Sequence, residues 1–187
     1  MLLKNLIKNI PANINNIEIS NLASDSRKVK KGCLFFALQG SKLDGNNFIT
    51  HAVKKGAKAI VCSRKIKTIQ KKIPIIRVEN TRESLGYACS KFFDKKPENI
   101  IAVTGTNGKS SVAEFFYQIL EKNNYSVASI GTLGIKFKNK LKSTNLTSLD
   151  VISLHKELFI LKKLGINNVI IEASSHGLAQ GRMNGID

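Results

Sequence analysis

Between Ile100 and Phe116 the chain reads IIAVTGTNGKSSVAEFF, and this stretch commits the second half to one local geometry. Ile100, Ile101, Ala102 and Val103 form an apolar run suited to a buried strand, whereas Val112, Phe115, Phe116, Ile119 and Leu120 recur at helical spacing. A turn holding Gly105 and Gly108 joins the two. Small residues let backbone N–H groups approach phosphate oxygens, and a helix N-terminus favours negative charge. Lys109 would then lie near the β- and γ-phosphates, and the Ser110 hydroxyl would reach a magnesium ion. The spacing departs from a strict G-x-x-x-x-G-K-[ST], which would need glycine at Val103. Gly105, Thr106, Asn107, Gly108, Lys109, Ser110 and Ser111 therefore read as an ATP-binding loop.

The same alternation of strand and helix runs through the chain. Gly32 to Ala37 and Ala59 to Cys62 read as buried strands with a short helix near Thr50 to Lys55 between them, and Ile73 to Val78 as a further strand. Asn80-Thr81-Arg82-Glu83 has the form of a capping box, opening a helix with Leu85, Ala88, Cys89 and Phe92 on one face that stops before Pro97. The polar, proline-bearing segment Phe93 to Asn99 is the expected boundary, giving domains 1–96 and 97–187. Beyond the loop, strands are expected at Val127 to Ile130 and Asn168 to Glu172. The helix between them starts near Asp150, turns Val151, Leu154, Leu158 and Leu161 inward, and ends at Gly165. The fold class is α/β: a small α/β domain followed by a parallel sheet of P-loop type, whose ligand would lie at the strands' carboxyl ends. With only about three strands expected in the second sheet, where such sheets have five or more, the chain reads as the amino-terminal part of something longer.

Composition narrows the function classes. The net charge is +17, but the excess is lysine scattered beside asparagine and isoleucine, with no stripe of aromatics for stacking bases. That argues for a solvated basic surface that attracts small anions, and against nucleic acid as the partner. The three cysteines, Cys33, Cys62 and Cys89, show no C-x-x-C spacing and suit a reducing cytoplasm. Lys4 and Lys8 interrupt any signal-peptide core, and no run is long enough to cross a membrane.

The loop TGTNGKSS resembles the ATP loop of the Mur ligase family and of the related folylpolyglutamate and cyanophycin synthetases. Ser24 to Ala57, SDSRKVKKGCLFFALQGSKLDGNNFITHAVKKGA, resembles the family's uridine-nucleotide domain, and Glu172 to Arg182, EASSHGLAQGR, resembles the E-V-S-S-H-x-L-x-x-x-R signature of its tripeptide-synthetase (MurE) type. STNLTSLD resembles the family's T-T-P-E/D loop, with Leu149 in place of the proline and Ser148 in place of a threonine; Ser111 likewise replaces a threonine and Ala173 a valine.

The resemblance implies an ATP-dependent amide ligase of peptidoglycan precursor synthesis. It would activate UDP-N-acetylmuramoyl-L-alanyl-D-glutamate as an acyl phosphate and join it to meso-diaminopimelate or L-lysine. It implies Lys109 and Glu172 as catalytic residues, with Ser110 and Glu172 holding magnesium. Ser26, Thr147, Ser148, Ser174, Gln180 and Arg182 become substrate contacts, and the loop Ser41 to Gly45 lines the uracil site. The family's D-H-x-D-x-H motif, its carbamylated lysine and its carboxy-terminal domain would lie beyond Asp187, so this polypeptide is expected not to turn over alone. It is read as a cytoplasmic monomer without stable membrane association. The alternatives are a noncatalytic nucleotide- or nucleic-acid-binding module, and another ligase of the Mur or folylpolyglutamate type.

Overall fold

The computed structural model describes residues 1–40, 43–63, 73–138, 140–143 and 149–186. They form two compact units, Met1–Phe92 and Phe93–Asp187.

The first unit is built on four parallel strands, β1 (Asn21–Ala23), β2 (Cys33–Phe36), β3 (Ala57–Cys62) and β4 (Ile75–Arg77), lying side by side in chain order. Every residue of β2 is buried, as an apolar run in an inner parallel strand should be. Helix α1 (Ile49–Lys54) connects β2 to β3 and packs Ile49, Ala52 and Val53 on Phe35 and Ile60. Helix α2 (Thr81–Phe92) follows β4 and ends well before Pro97. Asn80 caps it: its side-chain oxygen accepts from the N–H groups of Arg82 and Glu83, while Glu83 reaches back to the Asn80 amide rather than to its backbone. The expected strands are present, with β4 shorter than Ile73 to Val78. Strand β1 has too few residues to show a period.

The second unit has five strands: β5 (Asn99–Val103), β6 (Val127–Gly131), β7 (Gly134–Phe137), β8 (Lys140–Lys142) and β9 (Asn168–Glu172), in the order β5-β9-β6-β7-β8. Strands β5, β9 and β6 are parallel, and β7 and β8 extend the sheet as antiparallel neighbours. The expectation of about three strands is therefore corrected by this hairpin, whose short strands carry no long apolar run. Helices α3 (Lys109–Lys122) and α4 (Val151–Lys163) cover the sheet. Leu154, Leu158 and Leu161 of α4 pack on Ala128, Ile130, Val169 and Ile171.

Helix α3 turns a different face inward from the one its apolar spacing suggests. Ala113 and Tyr117 are its buried residues, while Val112, Phe115 and Ile119 are more than half exposed or nearly so, at 50%, 63% and 61%. The more apolar stripe is left outward, and contact with β6 and β9 buries the side holding the smaller Ala113 and Tyr117. Strand β5 is correspondingly open, with Ile101 exposed.

Candidate active site

Strand order brings the candidate residues together. Because β9 lies between β5 and β6, the carboxyl ends of all three converge, with Val103 opposite Glu172 and Ile130 opposite Ile171. Side chains alternate along a strand. With Val169 and Ile171 facing α4, Glu172 is directed to the opposite face, where α3 begins.

The loop after Val103 turns through Gly108, whose φ of 82° is one that a residue with a Cβ rarely adopts. No side chain caps α3, so its first N–H groups have no side-chain acceptor and its positive dipole end faces outward. Lys109 curls over the loop, its ammonium donating to the carbonyls of Gly105 (2.6 Å) and Thr106 (3.3 Å). Thr104 to Gly108 and Ser111 are exposed.

Glu172 is only 5% exposed. A buried carboxylate is costly unless donors surround it. Ser110 Oγ donates to Oε2 at 2.8 Å, Thr132 Oγ1 donates to the same oxygen at 3.1 Å, and the Thr132 backbone N–H donates to Oε1 at 3.3 Å. Gly131 makes room, since a Cβ there would fall on the Glu172 carboxylate. Among the described residues no cation pairs with it, so its satisfaction rests on hydroxyl and amide donors. Sequence reasoning missed Thr132 and Gly131. The signal was the spacing Gly131-Thr132-Leu133-Gly134, a two-residue connection between glycines, which became legible only with the β6–β7 pairing.

A cavity of about 490 Å³ opens beside this cluster, lined by Ser110 and Glu114 of α3, Gly131 of β6, Gly134 and Lys136 of β7, and Glu172. Lys136 pairs with Glu114 at 2.6 Å and lies 4.4 Å from the centre of the Tyr117 ring. The Lys136 ammonium, helped by Gln118, holds the Glu114 carboxyl below the ordinary carboxylate range. Hydroxyl and carboxylate oxygens are the hard donors magnesium prefers, and magnesium commonly takes one or two carboxylates together with substrate phosphates. Ser110 and Glu172 fit that ion.

After β9, Ser174 caps helix α5 (Ser175–Ala179), accepting from the Gly177 N–H at 3.0 Å. Gln180 links two neighbours: its amide oxygen accepts from Arg182 Nε (3.0 Å) and Nη2 (2.8 Å), and its Nε2 meets His176 Nε2 at 2.7 Å. Arginine can only donate, so the Gln180 oxygen faces Arg182 and the NH2 donates to an unprotonated Nε2 of His176. Thr147 and Ser148 lie outside the described residues. In the first unit, Ser26 is 6% exposed and its hydroxyl lies 3.0 Å from His51 Nδ1. Of the Ser41 to Gly45 loop, Ser41 and Lys42 are outside the described residues, and Asp44 caps the turn Gly45–Phe48.

An α/β chain with a strand, a glycine turn and Lys-Ser at a helix start, beside a strand-end carboxylate, belongs to the class of proteins built on a P-loop-type sheet. Residues 18–93 match the Mur ligase family, catalytic domain, and residues 103–187 match the Mur ligase middle domain. The chain belongs to the Mur ligase family. It is 43% identical over its whole length to the "UDP-N-acetylmuramoyl-L-alanyl-D-glutamate--2,6-diaminopimelate ligase" of Bradyrhizobium diazoefficiens, covering 39% of that protein. Over 90% of its length it is 44% identical to the ligase of the same name from a Chelativorans species, covering 35% of it. A solved structure of a ligase with that name superimposes over 99% of the chain with a TM-score of 0.85 at 29% identity, the chain covering 38% of it. The chain thus spans little more than a third of the length of these relatives.

Proposed function

We propose that these two units carry the uridine-substrate and ATP sites of an ATP-dependent amide ligase. Its reaction adds 2,6-diaminopimelate to UDP-N-acetylmuramoyl-L-alanyl-D-glutamate in cytoplasmic peptidoglycan precursor synthesis. The observation that carries the reading is the meeting of Ser110 and Glu172, 62 residues apart, at the end of the phosphate loop. The names of the relatives favour diaminopimelate over lysine. In this reading residues 1–96 hold the uridine-bearing substrate and residues 97–187 hold ATP. Among the described residues no helix is long and apolar enough to cross a membrane.

The reaction joins like charges. A carboxylate oxygen of the sugar peptide attacks the γ-phosphorus, the bond to the β-phosphate oxygen breaks and ADP leaves. The amine of the incoming amino acid then attacks the acyl carbon, loses a proton and expels phosphate. The chain's contribution to the first step is charge neutralisation and alignment. The loop N–H groups and the start of α3 receive the phosphates, and Lys109 exchanges its own loop carbonyls for the γ-phosphate oxygens. Ser110 and Glu172 would hold magnesium, which when bound neutralises phosphate oxygens. Thr147, Ser148, Ser174, Gln180 and Arg182 orient the sugar peptide, Arg182 through a planar fork that suits an anionic group. Ser26 serves the uridine end.

Calorimetric titration of the chain tests this. ATP with magnesium is expected to bind, Lys109→Met to abolish that binding, and UDP-N-acetylmuramoyl-L-alanyl-D-glutamate to bind with an affinity weakened by Arg182→Ala. A folded chain that binds neither ligand would overturn the reading.

A further inference from the structure

The buried Glu172 carboxylate takes two of its three donors from one residue at the tip of a hairpin. Gly131 pairs with Gly134, which leaves Thr132 and Leu133 as the whole connection between β6 and β7. Thr132 reaches Glu172 through its backbone N–H and its hydroxyl, and Ser110 supplies the third donor. The two sources differ in what a ligand does to them. Ser110 stands at the first turn of α3, beside the phosphate loop, where its hydroxyl lone pairs are wanted by a cation bound to phosphate. With a cation there the Ser110 hydroxyl would keep its proton, but its direction would be set by the cation as well as by Glu172. Thr132 sits in the turn closed by the Gly131–Gly134 pair, outside the phosphate loop, and has no such competing demand. Gly131 lets the carboxylate lie against the end of β6, where a Cβ would overlap it, and the two donors of Thr132 fix it there.

Resting on the reading of this loop as the ATP and magnesium site, we propose that Thr132 is a positioning residue for Glu172. Its hydroxyl holds the carboxylate at the phosphate-loop end, and would go on doing so with a cation bound at Ser110. Partners that orient a metal's ligands are commonly worth about 10–100-fold in metal affinity.

The experiment measures ATP affinity of the chain by calorimetry, in magnesium and in EDTA. Thr132→Val keeps the shape and the backbone N–H but removes the hydroxyl. It is expected to weaken binding about 10–100-fold in magnesium, with little change in EDTA. Thr132→Ser, which keeps the hydroxyl, is expected to restore the affinity. Adding Thr132→Val to Glu172→Gln should cost nothing further, because Thr132 acts only through Glu172. Equal losses in magnesium and EDTA, or additive losses in the double variant, would overturn the proposal. A ligand-free measurement separates this from failure of the ATP reading. In urea unfolding of the second unit, the midpoint shifts of Thr132→Val and Glu172→Gln should be non-additive. Additive shifts sink the positioning role whether or not ATP binds, whereas non-additive shifts in a chain that binds no ATP would leave the contact and sink the nucleotide reading.

Discussion

Ser110 donates its hydroxyl to Glu172 at 2.8 Å, binding the start of helix α3 to the carboxyl end of strand β9. A hydrogen bond to a charged group is worth about 1.5–3 kcal/mol, and a buried carboxylate stripped of a donor loses most of that. Ser110→Ala should therefore lower the stability of the second unit by about 1.5–3 kcal/mol in urea unfolding. It should also remove the magnesium dependence of ATP binding. Unchanged stability would show that water replaces the donor and that the contact is incidental.

Gly131 and Glu172 form a second relationship of the same kind. A methyl group at Gly131 would occupy the carboxylate's place, so Gly131→Ala must push Glu172 off its donors. Overpacking of this sort costs about 1–3 kcal/mol. Truncating the obstacle should relieve it: Gly131→Ala combined with Glu172→Ala is expected to be less destabilised than the sum of the two single changes. Simple additivity in urea midpoints would mean that the backbone, rather than Glu172, absorbs the methyl group.

These contacts also show where sequence reading stops. The loop at Gly108-Lys109-Ser110, the cap at Asn80 and the buried face Leu154, Leu158 and Leu161 were legible because each is encoded within one turn or one short period. The hairpin at Gly131 to Gly134 was not, since Thr132 and Leu133 carry no strong turn signal and β7 and β8 are short. Nor could local pattern decide between the two faces of α3, because Val112, Phe115 and Ile119 are as apolar as a core stripe. That Ser110 meets Glu172 depends on β9 inserting between β5 and β6, a property of strand order that no local window contains.

In the first unit, α1 attaches to the turn Ser26–Lys28 at two points. His51 Nδ1 lies 3.0 Å from Ser26 Oγ, and Lys55, one helical turn further on, donates its ammonium to the Arg27 carbonyl at 2.7 Å. The Asp25 carboxylate caps the same turn and is held below the ordinary range by its bonds to Arg27. Replacing His51 by leucine and Lys55 by methionine keeps the helix but cuts both ties. Amide exchange at Ser26 to Lys28 is then expected to accelerate several-fold while that of β2 and β3 stays unchanged. Uniform acceleration across the unit would indicate a loss of global stability instead.

His155 supplies a pH dependence with a definite sign. It lies on α4, 5% exposed, and its Nε2–H donates to the Asn184 carbonyl at 3.0 Å. Burial lowers its pKa from the ordinary 6.5; the bond to Asn184 opposes this and the nearby Lys96 charge adds to it. The folded form therefore binds a proton less readily than the unfolded chain. Above the ordinary value both states are neutral and the full stability is present. As pH falls below it the unfolded chain takes up the proton first, and stability declines until the folded histidine also titrates. Thermal melting of the second unit should thus fall on acidification from pH 7 toward 5 (about the range over which an imidazole titrates). His155→Gln, which still donates to a carbonyl but does not titrate, should melt with a visibly flatter pH profile. An identical profile in both proteins would assign the acid sensitivity to the carboxylates.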